Sequence, residues 1–531
     1  MSVPTLLHHL IEHAAGRDPD ACALRAEGGS LAYGELAQQV RAFAGGVVAL
    51  GTGRGDRVAV YLDKRFETVV ASFGAAAAGA VLVPVNPLLK AVQVAHILRD
   101  SGARVLVTSH ARFAALGELK GACPELRHVI LVDGDAQGTL SWTHLLDASS
   151  GARHRVIDCD VAAILYTSGS TGQPKGVVLS HANMVAGAGS VAAYLGNHRE
   201  DVLLAALPLS FDAGFSQLTT AFLVGARVVL LNYLLARDLL KVLAAERVTG
   251  LTAVPPLYMQ IAQLPWPETI NGHLRYFAST GGRMPRVTLD ALRQRVPSAR
   301  PFLMYGLTEA FRATYLPPEE VDRRPDSNGK AIPNVEVLVL RADGSPCAPG
   351  EAGELVQRGP LVAQGYWNDV QRTAERFRPL PAASGVRPSG LVRDEIAVFS
   401  GDTVRMDEDG FLYFVGRRDE MIKTSGYRVS PTEIEEALLA TGRVAECVAF
   451  GVEHAELGQV IAVAFCVPEA TEADVESLRA LCRVRLPAFQ VPAHFLVCTA
   501  PLPRNPNGKL DRPRIEAEAR GRLADFPTSQ T

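Results

Sequence analysis

The stretch Tyr166–His181, "YTSGSTGQPKGVVLSH", places glycines, hydroxyl side chains and one lysine between two apolar runs. Glycines let backbone N–H groups approach an anion, hydroxyls add donors and Lys175 adds a point charge, a combination that suits phosphate. The pattern is not the common GxxxxGK[ST] loop, because Lys175 follows Pro174 and "GVVLS" continues as a strand, with a helix predicted to begin near His181. A plain surface hairpin is the alternative, but the buried-looking strands on both sides favour a functional loop.

The composition indicates a globular chain with more than one domain. The chain has 531 residues, of which 48% are hydrophobic and 21% charged. Its net charge of −3 gives no basic excess for nucleic acid, and no basic amphipathic segment points to a membrane surface. Eight scattered cysteines without a CxxC pair predict reduced thiols in a cytoplasmic protein.

Two segments near the amino terminus have alternative interpretations. The first residues lack the basic start of a signal peptide, and their apolar spacing predicts an amphipathic helix. His8, His9 and His13 could serve there as metal ligands, but we find no acidic or sulfur partner nearby in the sequence, which favours a structural role. Thr68–Leu89 carries no charge and is long enough to span a bilayer, yet its alanine-rich half and its "VLVPVNP" end predict a buried helix followed by a buried strand, without a transmembrane segment.

Strand-like runs alternate with helical patterns over most of the chain, which predicts an α/β fold with much parallel sheet. Further along, Ser430 and Glu433 form a capping-box pattern with Pro431 at the first helical position, and a small α+β pattern follows. We therefore predict a large multi-sheet amino-terminal domain over 1–417, a small mobile α+β domain over 418–516 and a flexible tail over 517–531.

Further motifs accompany the opening stretch in order along nearly the whole chain. They are "GAVLVPVNP", "MYGLTEA", "GELVQRGPLVAQGYWN", "FSGDTVRMDEDGFLYFVGRRDEMIKTSGYR" and "PRNPNGKLDR". With "YTSGSTGQPKG", they resemble the motifs of the AMP-forming adenylating ligases, which include acyl-CoA synthetases, nonribosomal-peptide adenylation domains and luciferases. The finer resemblance is to bacterial acyl-CoA ligases associated with exosortase-A systems.

The resemblance implies a reaction in two steps. A carboxylic acid reacts with ATP and Mg²⁺ to give an acyl-adenylate and pyrophosphate, and a thiol then displaces AMP. The thiol is CoA in an acyl-CoA ligase. In the alternative, an amino acid or polar acid is adenylated and loaded on a free-standing acyl or peptidyl carrier protein.

The resemblance also assigns roles to single residues. The β- and γ-phosphates are held by Thr167, Ser168, Gly169, Ser170, Thr171, Gly172 and Lys175. Thr308 and Glu309 match residues that contact the α-phosphate and ligate Mg²⁺, and Tyr305 matches the aromatic that stacks on adenine. The nucleotide is further lined by Gly281, Gly282 and Gly306, and its ribose is held by Asp402 and Arg417.

Three residues of the predicted mobile domain match functional residues of the same domain in the family. Lys509 matches the catalytic lysine that bridges the carboxylate and the α-phosphate. Asp419 matches the hinge, and Lys423 lies on the face that is implied to cover the thiol tunnel in the second step.

The segment before the acyl pocket departs from the acyl-CoA ligases. Many of them carry a histidine where Phe211 stands, and Asp212 resembles the aspartate with which peptide-synthetase domains hold an α-ammonium group. Because a buried carboxylate needs a cationic or hydrogen-bonding partner, Asp212 either binds an amino group of the substrate or is a structural carboxylate capped by backbone. Both interpretations stay open at this point.

Two other classes of protein are less well supported. A nucleotide-binding scaffold that has lost catalysis would not need Lys175, Glu309, Asp402 and Lys509 together. A dinucleotide-binding dehydrogenase is suggested by "GTGRGD" at Gly51–Asp56, but this glycine-rich run precedes a strand instead of following one.

Overall fold

The computed structural model describes residues 3–117, 119–148, 153–167, 174–282, 284–386, 390–417, 422–429, 431–441, 443–444, 446–466, 472–498, 500–503, 510 and 512–524. Its helices are α1 (His9–Arg17), α2 (Tyr33–Ala49), α3 (Phe66–Ala78), α4 (Ala91–Ser101), α5 (His110–Ala115), α6 (Leu119–Ala122), α7 (Trp142–Asp147), α8 (His181–Leu195), α9 (Asp212–Val224), α10 (Ala236–Ala245), α11 (Pro255–Ala262), α12 (Arg286–Arg295), α13 (Val370–Arg376), α14 (Pro431–Leu439), α15 (Glu472–Arg485) and α16 (Arg512–Ala524).

Short strands alternate with these helices. The strands are β1 (Cys22–Ala26), β2 (Gly29–Ala32), β3 (Arg57–Tyr61), β4 (Val81–Pro84), β5 (Ala103–Thr108), β6 (His128–Leu131), β7 (Leu140–Ser141), β8 (Val161–Thr167), β9 (Lys175–Ser180), β10 (Val202–Ala205), β11 (Arg227–Leu230), β12 (Gly250–Ala253), β13 (Tyr276–Ser279), β14 (Arg300–Tyr305), β15 (Thr314–Leu316), β16 (Lys330–Ala331), β17 (Glu336–Leu340), β18 (Ala352–Arg358), β19 (Gly365–Tyr366), β20 (Phe377–Pro379), β21 (Ile396–Met406), β22 (Leu412–Arg417), β23 (Ile422–Thr424), β24 (Tyr427–Val429), β25 (Cys447–His454), β26 (Gly458–Cys466) and β27 (His494–Cys498).

The chain divides into two compact units. The larger one contains Met1–Pro87, Gln93–Tyr166 and Lys175–Arg418, and the smaller one contains Leu88–Val92, Thr167–Pro174 and Asp419–Thr531. We describe each unit by itself.

Two large sheets form the framework of the larger unit. One has the order β16-β15-β14-β13-β12-β10-β11-β1-β2 and the other β19-β9-β8-β4-β3-β5-β6-β7. The inner pairs β10–β12, β12–β13 and β13–β14 of the first sheet and β3–β4, β3–β5 and β4–β8 of the second are parallel. A third sheet, built around β21, is antiparallel. The predicted α/β class with several sheets is thus confirmed.

One of the apolar clusters of the larger unit contains residues from both large sheets and from the helices α2, α3, α8 and α9. α3 contributes an alanine-rich helix that is buried along its length and ends at Gly79 in the left-handed conformation, with φ of 78°. Phe73 of α3 stacks on Phe215 of α9 with ring centroids 5.6 Å apart. The uncharged segment therefore forms a buried helix followed by the buried strand β4, as predicted, and no helix among the described residues is both long and apolar enough to cross a bilayer.

The smaller unit is an α+β arrangement, as predicted. Its sheet has the order β24-β23-β26-β25, with β27 parallel to β26, and α14 and α15 cover one core while α16 covers a second. α14 begins at Pro431, the residue that the capping pattern places at the first helical position. The predicted tail starts at 517, whereas α16 continues to Ala524 and buries Ala519 against β25 and β26.

The amino-terminal helix packs against the start of α8 through histidines. The Leu7 N–H donates to Nδ1 of His181 at 3.0 Å, and the rings of His8 and His181 meet edge to face. Burial lowers the pKa of His8 to about 3 and that of His181 to about 4, so both rings are neutral near pH 7.

These histidines have an acidic neighbour, Glu12, so the prediction that no acidic partner lies nearby is wrong. Ligand atoms of His8, His9 and Glu12 lie within 4.8 Å of one another, because residues one turn apart share a helix face. Glu12 already pairs with Arg153 at 3.1 Å, and the Leu6 N–H donates to His9 Nδ1 at 3.4 Å. A structural role therefore remains our prediction.

The pH dependence of stability follows from the two buried histidines. Their folded pKa values lie below the unfolded value of about 6.5, so the unfolded chain binds more protons and the free energy of unfolding falls as pH drops from about 6.5 toward 4. We expect a loss of roughly 3 kcal/mol for each of the two histidines by pH 4 in denaturant titrations. His8→Leu removes a buried ring whose Nδ1 has no partner among the described residues, and it should flatten this slope. An unchanged slope would contradict the assignment.

Gly187 of α8 lets the helix approach the turn after β14. A Cβ on Gly187 would lie 2.4 Å from the fully buried ring of Phe311, whereas a Cβ on Gly189, two residues on, would meet nothing within 4 Å. Phe311 itself has φ of 56°, a conformation that aromatic residues rarely adopt.

Gly187→Ala should therefore displace Phe311 and lower the free energy of unfolding by about 1–3 kcal/mol. The matched control Gly189→Ala should stabilise the same helix by about 0.5–1 kcal/mol, because alanine loses less conformational freedom there. Denaturant midpoints measure both. Equal effects of the two substitutions would show that the Gly187 contact does not constrain the turn.

Candidate active site

The opening stretch has the strand-loop-strand setting that the sequence predicts. β8 ends at Thr167, β9 begins at Lys175, and α8 begins at His181. The predicted hinge Asp419 and the predicted catalytic Lys509 lie outside the described residues. The same is true of five proposed phosphate contacts, which are Ser168, Gly169, Ser170, Thr171 and Gly172.

Lys175 is held over an aromatic ring. β19 pairs with β9 so that Tyr366 lies opposite Val177, and this register brings the Tyr366 ring under the Lys175 ammonium, 4.4 Å from the ring centroid. Lys175 Nζ also donates to the Tyr366 hydroxyl at 3.1 Å. The lysine is thus positioned by an aromatic residue 191 positions away along the chain.

Glu309 completes this cluster. The Tyr366 hydroxyl donates to Glu309 Oε1 at 2.6 Å, and Lys175 Nζ lies 3.7 Å from the same oxygen. The side chains of Lys175 and Glu309 are 14% and 13% exposed, so their attraction is screened less than that of a surface pair. The structure thereby joins two of the predicted residues through Tyr366, a residue to which the sequence assigned no role.

The glycines of the predicted nucleotide site follow parallel strands. β12, β13 and β14 run in parallel, so their carboxyl ends lie at one edge of the sheet. Gly281 and Gly282 follow β13, and Gly306 follows Tyr305 at the end of β14. This edge is where open α/β sheets bind ligands.

Tyr305 and Asp402 form a direct contact. The Tyr305 hydroxyl donates a hydrogen bond to Asp402 Oδ2, and Asp402 is 1% exposed. β21 and β22 are antiparallel, and their register places Asp402 opposite the backbone of Arg417. Two of the proposed nucleotide contacts are thus joined, and a third lies on the adjacent strand.

The turn Thr308–Ala310 carries Thr308 and Glu309 and is fixed from two sides. Phe311 closes it with a positive φ, and the Gln357 side-chain amide donates to the carbonyls of Ala310 and Arg312 at 3.3 and 2.7 Å. On the other side, the Ala363 N–H donates to the Glu309 carbonyl at 2.9 Å. These bonds give Glu309 a defined position.

Asp212 has an internal cationic partner. Arg312 Nη1 lies 3.1 Å from Asp212 Oδ2, and the Ala213 N–H donates to Asp212 Oδ1 at 2.7 Å. The carboxylate at the start of α9 is therefore paired with a guanidinium and capped by backbone, next to the partly buried Phe211. Arg312 was not predicted from the sequence, although it lies two residues after the "MYGLTEA" motif; it is 100 positions from Asp212.

Lys423 belongs to the smaller unit. It lies in β23, and its backbone N–H donates to Oε1 of Gln459 at 3.0 Å.

Comparisons with known proteins match both units. A sequence profile of the AMP-binding enzyme family matches residues 11–367, and one of the AMP-binding enzyme C-terminal domain matches residues 433–509. The chain is 31% identical to a long-chain-fatty-acid–CoA ligase of Salmonella typhimurium, over 97% of this chain and 95% of that protein. It is 32% identical to an L-proline–[L-prolyl-carrier protein] ligase of Pseudomonas fluorescens, over 97% and 100%.

A solved structure supports the fold. The o-succinylbenzoate CoA synthetase of Bacillus subtilis, a double mutant bound to a product analogue, matches with a TM-score of 0.81 and 27% identity, over 96% of this chain and 97% of that one.

Tyr366→Phe tests the link between Lys175 and Glu309. The ring under Lys175 stays, but the hydroxyl bridge is lost, and we expect the free energy of unfolding to fall by about 1–2 kcal/mol. Tyr233→Phe is the control, since the Tyr233 hydroxyl makes no hydrogen bond to the described part of the chain. If both variants match the parent protein in denaturant titration, the bridge does not stabilise the site.

Proposed function

We propose that this chain, which belongs to the family of AMP-binding enzymes, is an acid–thiol ligase that activates a carboxylic acid with ATP and transfers the acyl group to CoA. The observation that carries the proposal is the assembly of Lys175, Glu309 and Tyr366 into one cluster of the larger unit. It provides a cation and a carboxylate at the end of the glycine- and hydroxyl-rich loop. A nucleoside triphosphate with its metal ion requires such a pair, a cation for the phosphates and a carboxylate for the metal.

In the first step, a carboxylate oxygen of the acid attacks the α-phosphorus of ATP. The new bond joins the carboxylate oxygen to the α-phosphorus and gives a mixed carboxylic–phosphoric anhydride, the bond that breaks joins the α-phosphorus to the oxygen that bridges it to the β-phosphate, and pyrophosphate leaves. Two anions approach each other, so the site must supply positive charge and donors. Lys175 with Thr167–Gly172 would hold the departing phosphates, Thr308 would contact the α-phosphate, and Lys509 would bridge the two reacting groups.

Glu309 fits Mg²⁺. Its carboxylate is a hard oxygen ligand, and Mg²⁺ in such sites is bound through one or two carboxylates and the substrate phosphates. Glu309 Oε1 faces Lys175 and the Tyr366 hydroxyl, which is the side on which phosphate oxygens would bind. When bound, Mg²⁺ would offset phosphate charge, while Tyr366 keeps Glu309 oriented.

The nucleoside would lie at the carboxyl edge of β12–β14. Asp402 accepts the Tyr305 hydrogen bond and would also accept from the ribose hydroxyls, with Arg417 on the opposite strand as a second contact. Tyr305 would stack on adenine beside Gly281, Gly282 and Gly306, where the absence of side chains lets a base approach the backbone.

In the second step, the thiol gives its proton to solvent and its sulfur attacks the acyl carbon. A carbon–sulfur bond forms, the bond from the acyl carbon to the phosphate oxygen breaks, and AMP leaves. We assign the thiol face to the smaller unit, on the strand that carries Lys423, with Asp419 as the hinge.

Two separate measurements identify the acid that is activated and the thiol that accepts the acyl group. One relative is a fatty-acid–CoA ligase and another loads L-proline on a carrier protein, so the runner-up is adenylation of an amino acid or polar acid followed by carrier loading. ATP–pyrophosphate exchange with fatty, aryl and amino acids identifies the acid. Thioester formation with CoA against a phosphopantetheinylated carrier protein identifies the acceptor, and exclusive use of the carrier protein would contradict our choice of CoA.

Substitution of the two lysines separates the steps. Lys509→Ala should lower pyrophosphate exchange by roughly 100-fold or more with the fold retained, because the bridging charge of the first step is lost. Lys423→Ala should slow thioester formation more than exchange. The control Lys241→Ala removes an exposed lysine and should change neither rate. Undiminished exchange in Lys509→Ala would overturn the role of Lys509.

A further inference from the structure

Two cysteines of the smaller unit lie opposite each other on neighbouring strands. β26 and β27 are parallel, and their register pairs Cys466 with Cys498. Each of these residues is the last one of its strand, and each is half-buried. All eight cysteines of the chain are free thiols. Cys466 and Cys498 are therefore two reduced thiols at adjacent strand ends.

The register brings the two residues within the range of a disulfide bond. Adjacent strands lie about 4.8 Å apart, so the Cα atoms of directly opposed residues have about this separation. Disulfides join residues whose Cα atoms are about 4.4–6.8 Å apart. Opposed residues of parallel strands also point to the same face, and both cysteines pack against the core that α16 covers.

A small movement completes the geometry. The Cβ atoms of opposed residues lie at about the strand spacing and must approach each other by up to about 1 Å, because their mean separation in a disulfide is about 3.8 Å. Each strand ends at its cysteine, so this movement need not disturb the interior of the sheet. Among the described strands, β27 pairs with β26 alone, which leaves its end room to shift.

Arg522 of α16 gives one of the two thiols a cationic neighbour. Its Nη1 lies 3.8 Å from Cys498 Sγ, and its Nη2 donates to the Val497 carbonyl at 3.0 Å. Burial raises the pKa of the Cys498 thiol, and the Arg522 guanidinium opposes that rise. A nearby cation favours the thiolate, which is the form that attacks an oxidant. Of the two thiols, Cys498 is therefore the one expected to react first.

The other two cysteines of the smaller unit have a different environment. Cys447 and Cys482 are 4% and 3% exposed and belong to the core that α14 and α15 cover. Burial raises the pKa of Cys447 to about 12 and that of Cys482 to about 11. These protonated, inaccessible thiols should stay reduced under mild oxidation, so they provide an internal reference.

We propose that Cys466 and Cys498 are a redox-sensitive modification site, at which hydrogen peroxide joins the two thiols in a disulfide and a reducing thiol separates them again. Transient disulfides of this kind are typical of redox sensing in reducing compartments. The reaction takes place within the smaller unit and does not depend on the ligase activity.

The oxidation has two balanced steps. The Cys498 thiolate attacks one oxygen of hydrogen peroxide, a sulfur–oxygen bond forms, the oxygen–oxygen bond breaks, and the departing hydroxide takes up the thiol proton as water. The Cys466 thiolate then attacks the sulfur of the resulting sulfenic acid, a sulfur–sulfur bond forms, and the second oxygen leaves as water with the proton of Cys466. The two thiols lose two electrons in total, and the peroxide gains them.

Peptide mapping without reductant tests the proposal. The full chain is treated with hydrogen peroxide, the remaining thiols are alkylated, and the protein is digested. We expect one peptide pair joined through Cys466 and Cys498, with the loss of two hydrogens, which dithiothreitol separates. Cys447 and Cys482 should be recovered alkylated. Oxidised Cys466 and Cys498 that are not joined to each other, or that are joined only between two chains, would overturn the proposal.

Two serine variants test the order of the steps. In Cys466→Ser, the second thiol is absent, so the Cys498 sulfenic acid should persist and be trapped by dimedone. In Cys498→Ser, we expect trapping at Cys466 to be at least roughly 5-fold lower. Equal trapping in the two variants contradicts the assignment of Cys498 as the first thiol. The control Cys159→Ser removes an exposed cysteine and should form the same disulfide as the parent protein.

Substitution of Arg522 tests the role of its charge. Arg522→Met should slow disulfide formation at least roughly 3-fold, whereas Arg522→Lys keeps the charge and should stay close to the parent rate. A merely structural loss at α16 would expose the thiols and accelerate oxidation, so the direction of the change separates the two explanations. The control is Arg514→Met, which removes an arginine of the same helix that is 64% exposed. An undiminished rate in Arg522→Met would overturn the role of Arg522.

Discussion

The packing of Phe311 against Gly187 is the contact on which the candidate site depends. Phe311 has a positive φ, a conformation that costs on the order of 1–3 kcal/mol for a non-glycine residue. The ring is fully buried in the apolar cluster that contains residues from both large sheets, and this burial offsets the cost. The chain reverses between the antiparallel strands β14 and β15, and the segment that joins them carries both Glu309 and Arg312.

The polar groups around this turn are paired within the larger unit. Lys175 contacts Glu309 through Tyr366, Asp212 contacts Arg312, and Asp402 contacts Tyr305. A ligand that binds at these residues exchanges one set of partners for another. Its affinity then reflects the difference between two sets of contacts, and the unliganded protein avoids the cost of isolated buried charges.

The structural features that depend on local sequence pattern were predicted from the sequence. The α/β class, the buried helix of the uncharged segment, the strand-loop-strand setting of Lys175 and the helix start at Pro431 all follow from periodicity and from the chemistry of glycine and proline. The residues Lys175, Glu309, Tyr305 and Asp402 came from motifs. Their mutual contacts did not, because they depend on which strands become neighbours.

Contacts between residues far apart in the chain could not be predicted from the sequence for the same reason. Tyr366 reaches Lys175 through the pairing of β19 with β9, which two strand residues establish. Arg312 contacts Asp212 across 100 positions and directly follows Phe311, whose positive φ no propensity predicts for phenylalanine. Glu12 was overlooked beside His8, although their spacing of one helical turn was present in the sequence.

The burial of the Asp212–Arg312 pair determines how the pair responds to ionic strength. Surface charges lose most of their influence as ionic strength rises, because mobile ions gather around them. A pair with side chains 3% and 15% exposed is largely inaccessible to such ions. The attraction between Asp212 and Arg312 is therefore a property of the protein interior, and it depends little on whether the surrounding solution is dilute or salty.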